Sequence, residues 1–258
     1  TYYDIDVIVG ATASPDYVVA STACRVQDKM GAKHAGAMDI SAGCSGYIYA
    51  VACASNMVKA GMYDNVLVIG AEILSRLVDW QDRSTCILFG DGAGAAVIGQ
   101  VDEGYGLLAS ELGSDGSLGK ILNIPASGVA EPVTHRAIDS KRIYIHMEGS
   151  EVFKAAVRHM GQTTLSTLEK AGITKEDINM FIAHQANDRI IQSLAKKLSI
   201  PSDRMYVNVD RYGNTSAASV GIALDEAVRA GLVKHGDYVV LTGFGAGLTW
   251  GCDVLHWM

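Results

Sequence analysis

Short, compact apolar runs recur along the chain at Val7–Val9, Val66–Ile69, Met180–Ala183 and Tyr238–Leu241, and each predicts a buried strand. Two kinds of helical pattern lie between them. Glu151–Lys170 keeps apolar residues on one face and charge on the other, which predicts an amphipathic surface helix. Tyr47–Lys59 and Ala217–Arg229 are instead rich in small and apolar residues, as in Ala50-Val51-Ala52-Cys53-Ala54, and predict helices buried on all sides. Alternation of strand and helix in this manner implies parallel βαβ units.

The pattern repeats. AMDISAGCSG (37–46) and VNVDRYGNTS (207–216) are each followed by one of the small-residue helices, and both helices stop at Ala-Gly, Ala60-Gly61 and Ala230-Gly231. A constant offset pairs Cys44 with Asn214 and Gly61 with Gly231. Upstream, DIDVIVGATA (4–13) matches DINMFIAHQA (177–186); downstream, FGDGAGAAVIG (89–99) matches FGAGLTWGCDV (244–254). Four matched segments in one order predict an internally duplicated α/β fold, with two sheets packed around shared helices. The halves are placed at 1–110 and 111–258. Copy two also shows a strand at Arg142–His146 and the amphipathic helix before its DINMFIAH segment, whereas copy one begins at the equivalent of DINMFIAH. The first strand and helix of copy one are therefore expected to be missing, with Thr1 an internal residue of a longer gene product.

Composition narrows the function. The net charge of −7, without a long charge run, argues against a general nucleic-acid or anionic-membrane binder. A charged fraction of 19% beside 49% hydrophobic residues implies a large interior and a buried subunit interface. No apolar stretch approaches the length of a spanning helix, and no signal peptide is visible. The five cysteines form no CxxC pair, which is the usage of a reducing, cytoplasmic compartment and excludes a disulfide framework or a zinc site.

Cys44 stands between Gly43 and Ser45-Gly46, at the end of one predicted strand and the start of a helix. That is a nucleophile's position, where the turn exposes the thiol and the helix dipole is expected to lower its pKa. Cys24, Cys53, Cys86 and Cys252 read as buried structural cysteines. His184 follows the apolar run Met180–Ala183, at the strand end where open α/β sheets place ligands. Asn214 occupies the turn equivalent to that of Cys44 and reads either as a helix N-cap or as a third functional residue. The glycine runs 90–94 and 243–247 lack GxGxxG between strand and helix, so they predict close backbone turns between strands, able to offer an oxyanion donor.

These motifs resemble those of the thiolase-fold condensing enzymes, most closely the β-ketoacyl-acyl-carrier-protein synthase III family. The resemblance rests on DISAGCSG (39–46), DRSTCILFGDGAGAAV (82–97), EGSEVFK (148–154), HQANDRII (184–191), YGNTSAAS (212–219) and FGAGLTWG (244–251). It implies a thiolase-like, layered αβαβα fold and a decarboxylating condensation that starts fatty-acid synthesis, with no cofactor beyond the substrates acyl-CoA and malonyl-acyl-carrier-protein. Cys44 would carry the acyl group, while His184 and Asn214 would stabilise the enolate left by loss of carbon dioxide. The N–H groups of Cys44 and Ala246 would form the oxyanion hole, with Ala246 standing where the family more often has glycine. Arg83 would meet the CoA adenine, Gly149 and Asn187 would line the pantetheine tunnel, and Phe89 would bound the acyl pocket. Val19 stands where many relatives carry phenylalanine at a homodimer interface. Arg189, Lys196, Lys197 and Lys154 would dock the acidic acyl carrier protein. Two other readings share the motifs: a Cys-His-Asn acyltransferase or condensing enzyme of a secondary-metabolite pathway that uses a different acceptor, and a catalytically silent partner subunit.

Overall fold

The computed structural model describes residues 1–258. The elements in chain order are β1 (Val7–Ala11), α1 (Thr22–Met30), β2 (Gly36–Ile40), α2 (Gly46–Lys59), β3 (Asn65–Ile73), β4 (Asp91–Gly99) and β5 (Gly106–Ser114). A short β6 (Leu122–Asn123), α3 (His135–Asp139), β7 (His146–Met147) and the long α4 (Gly149–Ala171) follow. The chain ends with β8 (Met180–Ala183), α5 (Asp188–Leu198), α6 (Val209–Tyr212), α7 (Ala218–Arg229), β9 (Tyr238–Gly245) and β10 (Thr249–His256).

Two four-stranded sheets have the orders β2-β1-β3-β4 and β5-β10-β9-β8. β1 runs parallel to β2 and β3, and β8 parallel to β9, while β4 and β10 return antiparallel to their neighbours. Beyond β8, Met205 bridges to Phe181 at the place that β2 takes in the first sheet. The two orders therefore agree strand for strand, as duplication requires, except that β5 lies against β10 while β4 pairs only with β3. The first strand of copy two is thus β5. The expected strand at Arg142–His146 is not formed: it is mostly turn, and only His146 joins the two-residue pairing of β6 with β7.

The buried helices α2 and α7 hold the sheets together. Tyr47, Ile48, Ala50, Val51 and Ala54 of α2 share one core cluster with Val220, Ala223, Leu224 and Ala227 of α7 and with residues of β1, β3, β8 and β9. Small side chains let both sheets approach these helices, and burial of each methylene contributes about 0.8 kcal/mol. Both helices end alike, with Gly61 and Gly231 each at φ 69°, a left-handed cap that glycine adopts without steric cost. A second cluster packs α4 and α5 on the outer face of the second sheet, through Met160, Leu168, Ile190 and Leu194.

The glycines of 90–94 lie mainly inside β4, not in a turn. A Cβ on Gly94 would sit 2.5 Å from the Ile222 nitrogen, and one on Gly90 would strike the Tyr212 carbonyl. Their role is to let β4 touch the backbone of α7 and of the turn before it. All five cysteines are free; of the four read as buried structural residues only Cys252 is buried, while Cys53 and Cys86 are half-buried and Cys24 is exposed.

Candidate active site

Cys44, His184 and Asn214, from three separate segments, line one cavity of about 1330 Å³. Cys44 lies in the 3-10 turn Gly43–Ser45 between β2 and α2 and is buried. Gly43 holds φ 51°. A Cβ on it would lie 2.6 Å from the Ala246 nitrogen, and a Cβ on Gly245 would strike the Cys44 nitrogen. This pair of glycines brings the Cys44 turn against the β9–β10 turn, and neither the Cys44 nor the Ala246 N–H reaches a backbone carbonyl. Two neighbouring free N–H groups can receive a developing oxyanion. Ala246 is not among the residues at positive φ, so alanine sits there without backbone strain.

His184 follows β8 and is buried, with its N–H bonded to the Thr242 carbonyl at 2.8 Å. Its Nδ1 lies 2.6 Å from Ser219 Oγ, which also accepts the Gln185 N–H at 3.3 Å. That second bond leaves the hydroxyl proton free for Nδ1, and this bonding assigns the ring proton to Nε2. Burial pushes the imidazole down to about 4, because the cation loses its hydration, so the ring is a neutral donor near neutral pH. Asn214 is held by backbone bonds to both sides of Phe89: its N–H donates to the Leu88 carbonyl at 2.8 Å and its carbonyl accepts from the Gly90 N–H at 2.9 Å. Its Oδ1 accepts from the Ser216 N–H at 2.8 Å, which orients the amide and leaves Nδ2 as its donor.

The expected lowering of the Cys44 pKa is corrected. Burial pushes the thiol up to about 12, and the Glu72 charge adds to the rise, while Ser216 and the residue's own N–H oppose it. Loss of solvent outweighs the start of α2, because the dipole of a helix acts locally and modestly while desolvation of a thiolate is large.

The first sheet's family signature and the second's are both found by comparison. A family model for 3-oxoacyl-(acyl-carrier-protein) synthase III matches residues 38–116, and the model for its C-terminal part matches residues 168–257. Over 254 residues the chain is 55% identical to a β-ketoacyl-(acyl-carrier-protein) synthase III of Caldanaerobacter subterraneus, covering 98% of this chain and 77% of that protein. The corresponding protein of Clostridioides difficile is 52% identical over 254 residues, with the same two coverages. The crystal structure of 3-oxoacyl-(acyl-carrier-protein) synthase III from Aquifex aeolicus superposes with a TM-score of 0.91 at 47% identity, over 99% of this chain and 78% of that one. The chain belongs to the β-ketoacyl-acyl-carrier-protein synthase III family. The thiolase-like fold expected from the motifs is therefore shown.

Other residues expected to act in this synthase fold fall into four groups. Phe89, Gly149 and Asn187 line the cavity, and Asn187 also caps α5, its Oδ1 accepting the Ile190 N–H at 2.9 Å. Arg83 is exposed and outside the lining, next to Ser84, which is part of it. Arg189 and Lys154 line the cavity as well, and both are exposed. Lys154 is paired with Glu151 at 2.8 Å, and Lys197 Nζ donates to the Val157 carbonyl of α4 at 3.2 Å. Arg189 and Lys196 form no ion pair. Val19, at 85% exposure, lies outside the cavity of the single chain.

Sequence reasoning missed Ser219, Ser216 and Glu72. Ser219 lies five residues past Asn214 in YGNTSAAS, in the first turn of α7, a hydroxyl in the same motif that could have pointed to it. Glu72 offers only a weaker signal, a lone carboxylate inside an apolar strand.

Proposed function

We infer that this chain catalyses the decarboxylating condensation of an acyl-CoA primer with malonyl-acyl-carrier-protein, giving a 3-ketoacyl-acyl-carrier-protein and so starting fatty-acid synthesis. The observation that carries this reading is the convergence on one cavity of a buried thiol, two oriented neutral donors and two free backbone N–H groups. In the first half-reaction Cys44 attacks the acyl-CoA thioester, and the Cys44 and Ala246 N–H groups hold the oxyanion. CoA leaves. Malonyl-acyl-carrier-protein then enters, and His184 Nε2–H and Asn214 Nδ2–H bind its thioester carbonyl. Neutral donors suit this step, since the enolate formed on loss of carbon dioxide carries its charge on that oxygen. The enolate carbon attacks the acyl group and expels Cys44.

Neither half-reaction calls for a cofactor. Phe89 bounds the acyl end of the cavity, Gly149 and Asn187 flank the pantetheine arm, and Arg83 sits on the rim for the CoA adenine. Arg189 and Lys196 are the cations best placed to dock the acidic carrier protein, because Lys154 and Lys197 are already engaged. The exposed apolar loop Tyr17–Val19 supports a homodimer, and five free cysteines support the cytoplasm; no helix is long and apolar enough to cross a membrane.

The test is intact-protein mass spectrometry with a panel of acyl-CoAs, followed by addition of malonyl-acyl-carrier-protein. An acyl adduct that Cys44→Ala abolishes, then carbon dioxide and a 3-ketoacyl product, is the expected result. Transfer of the adduct without release of carbon dioxide overturns the reading in favour of another acceptor, and absence of any adduct favours a silent subunit.

A further inference from the structure

Acylation needs somewhere for the Cys44 proton to go. The His184 ring is a poor acceptor here, since its Nδ1 is taken by Ser219 and its Nε2 already carries a proton. Near enough for its charge to act on the thiol lies a carboxylate that the condensation chemistry leaves without a role. Glu72 projects from β3 into the protein and is only 3% exposed. Its oxygens accept the Ala13 N–H at 3.0 and 3.1 Å, the Ser14 hydroxyl at 2.5 Å, the Thr12 hydroxyl at 3.3 Å and the Ala217 N–H at 3.3 Å. Between Glu72 and Cys44 stands Ser216, which lines the cavity and holds φ 46°. Its buried hydroxyl lies beside both the thiol and the carboxylate, yet closes a well-aligned hydrogen bond to neither. An unpaired buried hydroxyl costs stability, and here it sits where a proton must pass.

We propose that Ser216 relays the Cys44 proton to Glu72 during acylation, and that Glu72 stores it until condensation is complete. As acyl-CoA binds, the thiol proton moves to Ser216 Oγ while the Ser216 hydroxyl proton moves to a Glu72 oxygen. The Cys44 sulfur forms its bond to the acyl carbon, the carbon–sulfur bond to CoA breaks, and the CoA thiolate takes a proton from solvent. When the enolate later expels Cys44 as thiolate, the stored proton returns along the same path. The cycle consumes one proton from solvent for each carbon dioxide released, so the balance closes. Burial holds the Glu72 carboxyl above the usual carboxylate range, with its hydrogen bonds opposing that rise, which suits a group that must keep a proton for the life of the acyl-enzyme.

The inference rests on the acyl-enzyme reading, and the experiment separates the two. Infrared difference spectra are taken before and after acylation of the protein labelled with ¹³C-glutamate, with mass spectrometry to count adducts. The expected result is one new protonated-carboxyl band that carries the isotope shift and is lost in Glu72→Gln. Single-turnover acylation in Glu72→Gln and in Ser216→Ala should fall about a hundredfold, the lower end of what a proton-transfer group contributes. The decarboxylation rate of already acylated variants should change far less. Full adduct formation with no such band overturns the relay and leaves the acyl-enzyme intact; no adduct in the unmodified protein overturns the underlying reading. If Glu72→Gln fails to fold, the unmodified protein and Ser216→Ala still decide, since acylation at the unmodified rate in Ser216→Ala also overturns the relay.

Discussion

Ser219 Oγ bonds one ring nitrogen of His184 and takes the Gln185 N–H, so a single hydroxyl sets which ring nitrogen carries the proton. Its removal frees the imidazole to hold the other tautomer, with an acceptor where the enolate needs a donor. Ser219→Ala is therefore expected to slow carbon dioxide release from malonyl-acyl-carrier-protein about tenfold, an order-of-magnitude figure for weakening one proton-bearing group. Acylation of Cys44 should be little changed. Separate pre-steady-state assays of the two half-reactions check this, and an equal loss in both would assign Ser219 a merely structural part. The thiol, too, is governed by contacts from elsewhere in the chain. Its turn position was legible from Gly43-Cys44-Ser45-Gly46, but its high pKa was not, because desolvation depends on what packs above the turn, and the residues that do so come from Ser216 and β9.

Among the elements, the contact of β4 with α7 positions Asn214. Gly90 bonds the Asn214 carbonyl, and Gly94 lies against the backbone of Gly221 and Ile222. Because the opposing atoms are backbone, a methyl at Gly94 cannot be absorbed by rotating a side chain. Gly94→Ala is expected to destabilise the fold by about 2 kcal/mol, within the usual range for overpacking a tight core. Urea denaturation measures it, and a loss below about 0.5 kcal/mol would mean that β4 and α7 separate freely. The pattern of the sequence located both small-residue helices to within a residue at their starts, since burial on all sides leaves a distinctive composition. It placed the 90–94 glycines in a turn, because a glycine needed for close packing and one needed for a turn look alike in sequence. β5 was overlooked for a different reason: several of its side chains are only partly buried and it carries Glu111, so no uninterrupted apolar run marks it.

At the scale of the molecule, neither half holds a complete site. Cys44 comes with the first half of the chain, His184 and Asn214 with the second, Asn214 pairing with the segment that leads into β4 of the first sheet, and the Cys44 turn packs on the turn that follows β9. Cohesion between the halves also contains an unusual cost. Asp253 on β10 is fully buried, neither of its oxygens has a hydrogen-bond partner, and burial pushes its carboxyl up to about 8 while Ser110 only partly opposes the rise. The folded protein thus keeps a proton that the unfolded chain, with an ordinary value of 3.8, has lost. Stability from this group is present in full below the unfolded value and is lost as pH rises through about 8. Asp253→Asn is expected to remove that loss, so the gap in denaturation midpoint between pH 5 and pH 8 should narrow relative to the unmodified protein. An unchanged gap would mean that the carboxyl ionises without penalty in the fold.

The amino-acid sequence alone determined the duplication and the buried helices and singled out Cys44, His184 and Asn214 as the candidates that the fold brings to one cavity, because each leaves a local mark: a repeat at constant offset, a composition, or a residue type at a strand end. Tertiary structure decided the protonation of those residues and the partners that govern it. The contacts of Ser219 with His184 and of Glu72 with Ala13 and Ala217 join segments distant in the chain, and the energy of a buried charge is set by everything around it rather than by its neighbours in sequence.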